Sequence, residues 1–437
     1  MSPFRAIVLG AGPAGLFAAH ALAAAGIDFI VLERQPEIVR YRGALLVAWP
    51  PLVRLMDQLG LYKPMLEFST RLLTKTNLTH TGEPLCSARV FGDIEDELGY
   101  PSLGISRGNF LRVLYDNLPH HETKVKANAH AVKVETHKDG VHVYLADGSM
   151  VDGSVVIAAD GVHSPVRKLI QDLGASGDSA PSSPMIPGYL SLFGHTRCVR
   201  EDIALADFAE SHGPGVASQC IRLNDTMFFS VLKRLAKPTM EKQRFTSEDL
   251  EKFSEEMSDI AVFPGVQLKE IWPLREETNA TLLQQEEGMA EKWYHGRLVL
   301  VGDAAHKMTS VNGQGALCAA LSVVVLVNNL YATLQKNSSP STEDLEATFA
   351  KYEFMRRPVA TGAVNFGAMI TRSITWTAKG DEASDRARTS ATMAAEAKKI
   401  ILPGLSHSPV FDFIPFEGKC GTTPWMVDAK FLAANAA

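Results

Sequence analysis

The sequence predicts a two-domain α/β protein in which a βαβ unit comes first and a mixed sheet is inserted before a returning strand. The 437-residue chain is 46% hydrophobic and 21% charged, which is typical of a globular protein with a large core. A buried strand at 6–9, a helix at 14–25 and a second strand at 29–32 open it. A segment rich in Ser, Pro, Gly and Ala at 174–188 indicates a domain boundary.

The later elements follow from the same patterns. Alternating residues at 129–135 and 141–145 predict a hairpin, and 155–159 and 298–301 predict buried strands. Between them, a strand-like run at 227–232 and a charged helix near 247–259 belong to the inserted sheet region. The apolar run 316–330 is too short and too polar at its end to span a bilayer, so it predicts a buried helix. The last hundred residues look helical, and then irregular after Pro403.

The composition excludes several classes of protein. A net charge of -6 lacks the basic footprint of a nucleic-acid binder, so we expect no nucleic-acid partner. The five scattered cysteines argue against a disulfide scaffold or a zinc ribbon and favour a reducing compartment. The N-terminus has no signal-peptide pattern. We therefore expect a cytoplasmic protein without a metal site, and nothing implies an obligate protein partner.

The strongest motif is Gly10-Ala11-Gly12-Pro13-Ala14-Gly15, which follows a strand and opens a helix. In this context G-x-G-x-x-G indicates dinucleotide binding, because Gly10 permits a tight turn, Gly12 lets a pyrophosphate approach and Gly15 lets helix and strand pack closely. The helix N-terminus, which includes Ala14, offers N–H groups to phosphates. Glu33 ends the second strand, where an acid binds the adenosine ribose.

NAD and FAD share this fingerprint, and two further strand ends favour FAD. Asp160-Gly161 follows the strand 155–159, and Gly302-Asp303 follows the strand 298–301. Ligands of α/β proteins bind at such carboxyl ends, where Asp303 fits a ribityl hydroxyl. The turn Gly313-Gln314-Gly315 fits the edge of a flavin ring. Either aspartate alone would more often be a helix cap or a turn residue.

With further motifs, the chain resembles the group A, aromatic hydroxylase-type, FAD-dependent monooxygenases. Its nearest relatives are the fungal epoxidases and hydroxylases of indole-alkaloid, indole-diterpene and meroterpenoid pathways. The motifs that carry the resemblance beyond those above are Arg42-Gly43-Ala44, Leu55-Met56-Asp57-Gln58-Leu59-Gly60, Ser106-Arg107-Gly108-Asn109-Phe110-Leu111, Phe411-Asp412-Phe413-Ile414-Pro415-Phe416 and Pro424-Trp425.

The resemblance implies a Rossmann-like FAD-binding domain with an inserted β-sheet-rich substrate domain and a helical C-terminal tail. The predicted limits are 1–75, 101–175 and 286–340 for the FAD-binding domain, 76–100 and 185–285 for the substrate domain, and 341–437 for the C-terminal region.

The resemblance also implies roles for single residues. Glu33 and Arg34 lie at the adenosine end, and Arg107 contacts the ribose or pyrophosphate of FAD. Asp303 holds the ribityl-pyrophosphate, and Gly313, Gln314 and Gly315 lie near the isoalloxazine. Asp160 and Gly161 serve FAD and NADPH binding. Arg42 and Gly43 belong to the same set, although Arg42 is equally well explained as a surface ion-pair residue.

By resemblance, NADPH reduces FAD, and a flavin C4a-hydroperoxide then epoxidises or hydroxylates a hydrophobic, electron-rich indole alkaloid or terpenoid. Because no second dinucleotide fingerprint occurs, NADPH would bind only transiently. The chain departs from the family pattern at Leu317–Leu321, where an Asn and an acidic pair are usual, and at Leu190, where many relatives have a basic residue. Arg197, just beyond that strand, is the candidate to replace this basic residue catalytically, although a surface arginine explains it as well.

Three alternatives stay open. A flavoprotein on this scaffold that acts as a cyclase, isomerase or dehydrogenase without oxygenation fits the apolar departure at 317–321. A hydrolase fits the G-x-S-x-G match that ends at Gly108, although a nucleophile elbow needs a clear strand before it. Finally, the apolar segment 364–376 fits an amphipathic helix at a membrane surface, so weak peripheral membrane contact is a third alternative.

Overall fold

In the computed structural model, residues 4–41, 45–174, 185–201, 203, 205, 207–239, 241, 243–276 and 280–426 are described. The strands are β1 (Arg5–Leu9), β2 (Asp28–Leu32), β3 (Leu45–Ala48), β4 (Ser69–Arg71), β5 (Thr74–Thr79), β6 (Pro84–Ala88), β7 (Leu103–Ser106), β8 (Val125–Lys126), β9 (Ala131–His137), β10 (Gly140–Leu145), β11 (Met150–Gly153), β12 (Val155–Ala158), β13 (Met185–Arg197), β14 (Asp207–Gly213), β15 (Val216–Leu223), β16 (Thr226–Arg234), β17 (Ala261–Phe263), β18 (Val266–Gln267), β19 (Thr281–Met289), β20 (Tyr294–His295), β21 (Leu298–Leu300) and β22 (His306–Lys307).

The α-helices vary in length from one turn to nine turns. They are α1 (Pro13–Ala24), α2 (Pro50–Gln58), α3 (Tyr62–Leu66), α4 (Val90–Leu98), α5 (Arg107–Asp116), α6 (His121–Lys124), α7 (Pro165–Gly174), α8 (Ser247–Glu256), α9 (Leu268–Ile271), α10 (Gly315–Lys336), α11 (Thr342–Ile374), α12 (Asp381–Ala387), α13 (Ser390–Glu396) and α14 (Leu402–Ser406).

A six-stranded sheet forms the first layer, in the order β20-β21-β12-β1-β2-β8. The four strands β21, β12, β1 and β2 run parallel, and they are buried apolar segments, as expected for strands covered on both faces. Helix α1 contacts both this sheet and α10, which places α10 in the core. The sheet therefore brings the carboxyl ends of four strands to one edge.

An eight-stranded sheet forms the second layer, in the order β22-β19-β13-β16-β15-β14-β5-β6. Its pairings are antiparallel except that of β14 with β5. A separate apolar cluster that includes Leu192, Val231, Phe253 and Trp272 packs on one face of it. The long strands inserted between β12 and β21 thus build a second core.

The predicted fold class is confirmed, with differences at the ends of elements. Helix α10 has 22 residues rather than the predicted apolar run of 15, because polar residues at its C-terminal end stay helical in the packed structure. Among the described residues, α10 is the one helix long and apolar enough to span a membrane by length and composition, and 72% of its most apolar stretch is buried inside the protein. The predicted boundary segment 174–188 falls mostly on 175–184, outside the described residues, and the exact domain limits stay predictions.

Candidate functional site

Four of the predicted cofactor motifs meet at one edge of the six-stranded sheet. The fingerprint follows β1, Glu33 follows β2, Asp160 follows β12, and Gly302-Asp303 follows β21. The backbone N–H of Gly10 donates to the carbonyl of Leu32 at 2.8 Å and joins the first two motifs directly. Parallel strands place loops of this kind at the edge where α/β proteins bind ligands.

The structure favours glycine at the three fingerprint positions for different reasons. Gly10 has a φ of +97°, and a Cβ there would lie 2.6 Å from the carbonyl oxygen of Ala159. At Gly15 a Cβ would lie 1.8 Å from the carbonyl oxygen of Gly10. At Gly12, by contrast, the one neighbour within 4 Å is Nη2 of Arg107, at 4.0 Å. Gly10 and Gly15 therefore serve the packing of the turn, whereas Gly12 leaves a space in front of a guanidinium group.

Arg107 faces this space, and Arg40 lies near Arg107. Burial and the nearby Arg40 lower the pKa of Arg107, while Asp303 and Glu33 act in the opposite direction. The Nε of Arg40 is buried and has no hydrogen-bond partner among the described residues. Two neighbouring guanidinium groups beside a helix N-terminus fit a bound pyrophosphate, since it would neutralise their repulsion and accept their hydrogen bonds.

Glu33 and Asp303 are anchored from opposite sides of this space. The Glu33 carboxylate is buried and accepts hydrogen bonds from the backbone N–H groups of Ala11 and Gln35, both at 2.9 Å. The carboxylate of Asp303 accepts a hydrogen bond from Nζ of Lys307 at 2.8 Å. Sequence reasoning assigned no role to this lysine, and its spacing from Asp303 gave no signal, because a 3-10 turn and the strand β22 separate the two residues rather than an α-helix.

The remaining adenosine-side candidates differ in placement. Arg34 is exposed just after β2. Arg42 and Gly43 lie outside the described residues. Ala14 packs under the strand-end motif, because a Cβ placed on Gly302 would lie 3.1 Å from the Cβ of Ala14.

Asp160 is the most perturbed carboxylate at this edge. Its Oδ1 is buried without a hydrogen-bond partner among the described residues, and burial raises its pKa to about 6 despite a hydrogen bond from Ser164. Gly161 follows with a φ of +85°. A buried carboxylate oxygen that lacks a donor is suited to accept one from a ligand.

The predicted glycine turn forms the start of α10. Gly313 has a φ of +61°, and a Cβ there would lie 3.1 Å from the Cβ of Val47 and 3.5 Å from Nε1 of Trp49. That indole N–H is buried and has no partner among the described residues. Gln314 is the N-cap residue of α10, and Gly315 is its first residue. The turn therefore offers backbone and indole N–H groups to a flat acceptor such as a flavin ring.

A cavity of about 990 Å³, its open mouth included, lies between this turn and the eight-stranded sheet. Six phenylalanines line it, namely Phe91, Phe193, Phe208, Phe228, Phe229 and Phe366. The largely apolar, aromatic walls are typical of a small-molecule site. Phe193 and Phe228 lie on one face of β13 and β16, whereas Leu192 and Phe229 belong to the separate apolar cluster.

The structure does not bring Arg197 to this cavity. It is exposed at the end of β13, opposite Thr226, four residues beyond the cavity-lining Phe193. Four residues of extended strand span roughly 13 Å, so its backbone lies well away from the aromatic wall. Two charged residues do line the cavity, Lys75 and Glu210, and sequence reasoning missed both of them. The sequence carried no clear signal for them, because β5 and β14 are both largely polar strands.

The comparisons with known proteins decide the family. The model of the family described as FAD binding domain matches residues 4–367. The FAD-dependent monooxygenase srdH of Neurospora crassa is 34% identical over 97% of this chain and 98% of its own length. The FAD-dependent monooxygenase ausM of Penicillium brasilianum is 30% identical over 82% of this chain and 75% of its own. The chain belongs to the FAD-dependent monooxygenases.

Solved structures share the fold of this FAD-dependent monooxygenase. Klebsiella pneumoniae HpxO, crystallised with FAD and uric acid, covers 91% of this chain with 97% of its own, at a TM-score of 0.74 and 24% identity. CtdE, crystallised with FAD and a substrate, covers 92% of this chain with 99% of its own, at a TM-score of 0.70 and 16% identity.

These findings confirm the predicted resemblance, the FAD cofactor and the enzyme class. They do not favour the non-oxygenating alternative. The hydrolase alternative loses its nucleophile, because Oγ of Ser106 caps α5 and accepts the N–H of Asn109 at 3.1 Å. The membrane alternative is unsupported, since Phe366 and Ile370 of segment 364–376 line the cavity and Trp376 donates to Asp385 at 2.7 Å.

The family departure at 317–321 lies on the buried side of α10. Ala319 packs against Gly302, and Cys318 contacts Arg356 at 3.5 Å. Burial would raise the pKa of the Cys318 thiol, but His306 and Arg356 lower it to about 7. The apolar sequence thus serves packing of the helix against the FAD-side strand ends.

Proposed function

We propose that this monooxygenase uses NADPH and O₂ to epoxidise or hydroxylate a hydrophobic, electron-rich secondary metabolite, such as an indole alkaloid or a terpenoid. The observation that carries the proposal is the phenylalanine-lined cavity that opens beside the turn Gly313-Gln314-Gly315. Relatives named FAD-dependent monooxygenases, such as ausM of Penicillium brasilianum, support the monooxygenase class. The reaction class follows from the family, and the apolar substrate follows from the cavity walls.

The residues that would hold FAD lie at the edge of the six-stranded sheet where the carboxyl ends of the parallel strands meet. Gly12 and the N-terminus of α1 would face the pyrophosphate together with Arg107, and Glu33 would lie at the adenosine ribose. Asp303 would bind the ribityl part, and Asp160-Gly161 would serve both FAD and NADPH. Bound FAD supplies the acceptance of electrons from NADPH and their delivery to O₂.

The protein's own part is to orient the substrate and to exclude water. Phe193 of β13 and Phe228 of β16 come from adjacent strands of the eight-stranded sheet and lie on the same face of it, in the wall of the cavity. Phe366 of α11 closes the opposite side. A dry, shaped cavity suits an apolar skeleton and protects reactive oxygen chemistry from side reactions with water. The flavin ring would lie at the turn that borders this wall.

We place the enzyme in the cytoplasm, with its small-molecule substrate, NADPH and O₂ as its only partners. The support is that the described cysteines are free and that α10 is buried in the core.

The test is an anaerobic titration of the purified, FAD-loaded enzyme with NADPH, followed by visible absorbance. We expect the oxidised-flavin spectrum to bleach, faster with indole or terpenoid substrates present, and to return when air is admitted. A flavin spectrum that is indifferent to NADPH, with and without these substrates, would contradict the proposal.

A further inference from the structure

An ion pair lies in the wall of the otherwise apolar cavity. Nζ of Lys75 on β5 lies 2.6 Å from Oε1 of Glu210 on β14, and both residues line the cavity. The Glu210 side chain is 2% exposed. Because a buried charge is costly unless it has a function or full pairing, this pair requires an explanation that packing alone does not give.

Three side chains hold the Glu210 carboxylate in place. Oε1 accepts hydrogen bonds from Lys75 and from Nε2 of His212, at 2.9 Å, whereas Oε2 accepts from Nε2 of Gln219 at 2.7 Å. A carboxylate oxygen accommodates two donors, so among the described residues Oε2 has capacity for one more. Lys75 has three N–H donors, of which one is used within the described part of the chain.

A second layer of charges fixes His212 and therefore Glu210. Nδ1 of His212 lies 2.7 Å from Oδ2 of Asp385 on α12, so both ring nitrogens face carboxylate oxygens. Two carboxylates need two N–H donors, and the ring is therefore an imidazolium. Asp385 is itself held by Trp376, at 2.7 Å, and by Arg388, at 2.9 Å.

The charges reinforce one another. Burial alone would lower the pKa of His212, but its hydrogen bonds to Asp385 and Glu210 raise it. Burial would likewise raise the pKa of Glu210, but Lys75 and His212 hold it well below its usual range. Glu210 thus stays a fixed, ionised acceptor in the wall of the cavity.

We propose that Lys75 and Glu210 bind a hydroxyl group on an otherwise apolar substrate. Lys75 donates to the hydroxyl oxygen, and Oε2 of Glu210 accepts the hydroxyl proton in a hydrogen bond. This inference rests on the proposed function and adds to it the substrate class, a hydroxylated hydrocarbon skeleton. His212, Gln219 and Asp385 are positioning residues for Glu210.

Other chemical groups fit this pair less well. A carboxylate would face the negative Glu210, and an ammonium group would face Lys75. An unsubstituted hydrocarbon would leave the remaining N–H donors of Lys75 and the remaining acceptor position of Glu210 Oε2 without a partner. A hydroxyl group is both donor and acceptor, and it matches the adjacent acceptor and donor. Gln219 also donates to the carbonyl of Val311 at 2.7 Å, which ties the pair to the segment that precedes Gly313. The anchored end of the substrate therefore has a fixed relation to the flavin-side turn.

The test measures binding of β-naphthol and of its methyl ether to the FAD-loaded enzyme by equilibrium dialysis. A hydrogen bond to a charged group contributes about 1.5–3 kcal/mol, so we expect the wild type to prefer the naphthol by about 10- to 100-fold. In Glu210→Gln the preference should fall below about threefold, with the affinity for the ether nearly unchanged. In Lys75→Met both compounds should bind about tenfold more weakly, because the oxygen of either one can accept the hydrogen bond that Lys75 donates.

Lys233→Met is the matched control, because Lys233 of the same sheet pairs with the exposed Glu256 outside the cavity. It should keep the full preference for β-naphthol. If Glu210→Gln loses FAD through misfolding, Lys75→Met decides between a purely structural role and a role in binding, because a purely structural lysine would leave the affinity for both compounds unchanged. A wild type that does not distinguish the two compounds, whether it binds both or neither, would overturn the proposal. A Glu210→Gln variant that retains the preference, or a Lys75→Met variant with unchanged affinity for both compounds, would also overturn it.

Reduction by NADPH is followed in parallel on every variant. Normal flavin bleaching without any preference for the naphthol would leave the proposed function intact and refute the hydroxyl anchor. A clear preference for the naphthol in an enzyme whose flavin is not reduced by NADPH would support the hydroxyl-binding pair and contradict the proposed function.

Discussion

The different geometry of the fingerprint glycines predicts two separable defects. In Gly12→Val the new side chain projects into space whose one neighbour within 4 Å is Nη2 of Arg107, and Gly12 has ordinary φ and ψ angles of -74° and -177°. The fold should therefore tolerate valine, whereas FAD should not bind. In Gly15→Ala the Cβ meets the carbonyl oxygen of Gly10 at 1.8 Å, so the strand–helix packing itself must fail.

The magnitudes follow from these contacts. Replacing glycine at a compatible backbone position changes stability by roughly 0.4–1 kcal/mol in the stabilising direction, so FAD-free Gly12→Val should unfold within a few degrees of wild type. Loss of one or two charge-assisted phosphate hydrogen bonds, at about 1.5–3 kcal/mol each, should weaken FAD binding by at least about tenfold. Gly15→Ala should cost more than about 3 kcal/mol.

The assay is thermal unfolding of each variant with and without added FAD, together with the flavin absorbance of the purified protein. Wild type should be stabilised by FAD through mass action, and Gly12→Val should not. A Gly12→Val protein that purifies with a full complement of flavin would refute the assignment of Gly12 to the pyrophosphate. So would a Gly12→Val variant that is as destabilised as Gly15→Ala.

Three further predictions follow from the charges. Asp160→Asn should stabilise the FAD-free protein at neutral pH, by at most about 3 kcal/mol for a pKa raised from 3.8 to about 6, and the gain should vanish near pH 4 in denaturant titrations; a destabilised variant would contradict this. Because the pKa of His212 is raised, its pairing stabilises fully below about pH 6.5 and is lost as pH rises through the folded pKa. The difference in melting temperature between wild type and His212→Gln should therefore shrink from about pH 6 to pH 9, and a constant difference would exclude the imidazolium. Arg197→Ala should leave flavin reduction and substrate affinity within about twofold of wild type, since ion pairs of exposed arginines contribute little binding or folding energy. A large loss of turnover would show that Arg197 takes part in the reaction.

Local sequence patterns predicted that several strand-end motifs come together at one edge of the six-stranded sheet. The fingerprint, Asp160-Gly161 and Gly302-Asp303 each follow a buried apolar strand, and such strands join in a parallel sheet that aligns their carboxyl ends. Short-range sequence rules were therefore enough to predict that residues about 150 to 300 positions apart in sequence lie at the same edge of the sheet. The hairpin of β9 and β10 is confirmed for the same reason, since its turn and its alternation are both local.

The polar part of the cavity could not be predicted in this way. Lys75, Glu210, His212 and Asp385 come from strands of different sequence segments and from a C-terminal helix, and their pairing depends on the register of β14 against β5. A charged residue within a strand indicates an unusual environment, but it does not identify the residue that pairs with it. Arg197 illustrates the converse, because its proximity in sequence to the cavity wall did not translate into proximity in space.

The most direct test of the central claim is the mass of the product formed under labelled O₂. The FAD-loaded enzyme, NADPH and a hydroxylated indole or terpenoid substrate should yield a product heavier by one labelled oxygen atom, with no label acquired from labelled water. A product of unchanged oxygen content, or one whose oxygen derives from water, would contradict the assignment of this chain as a monooxygenase.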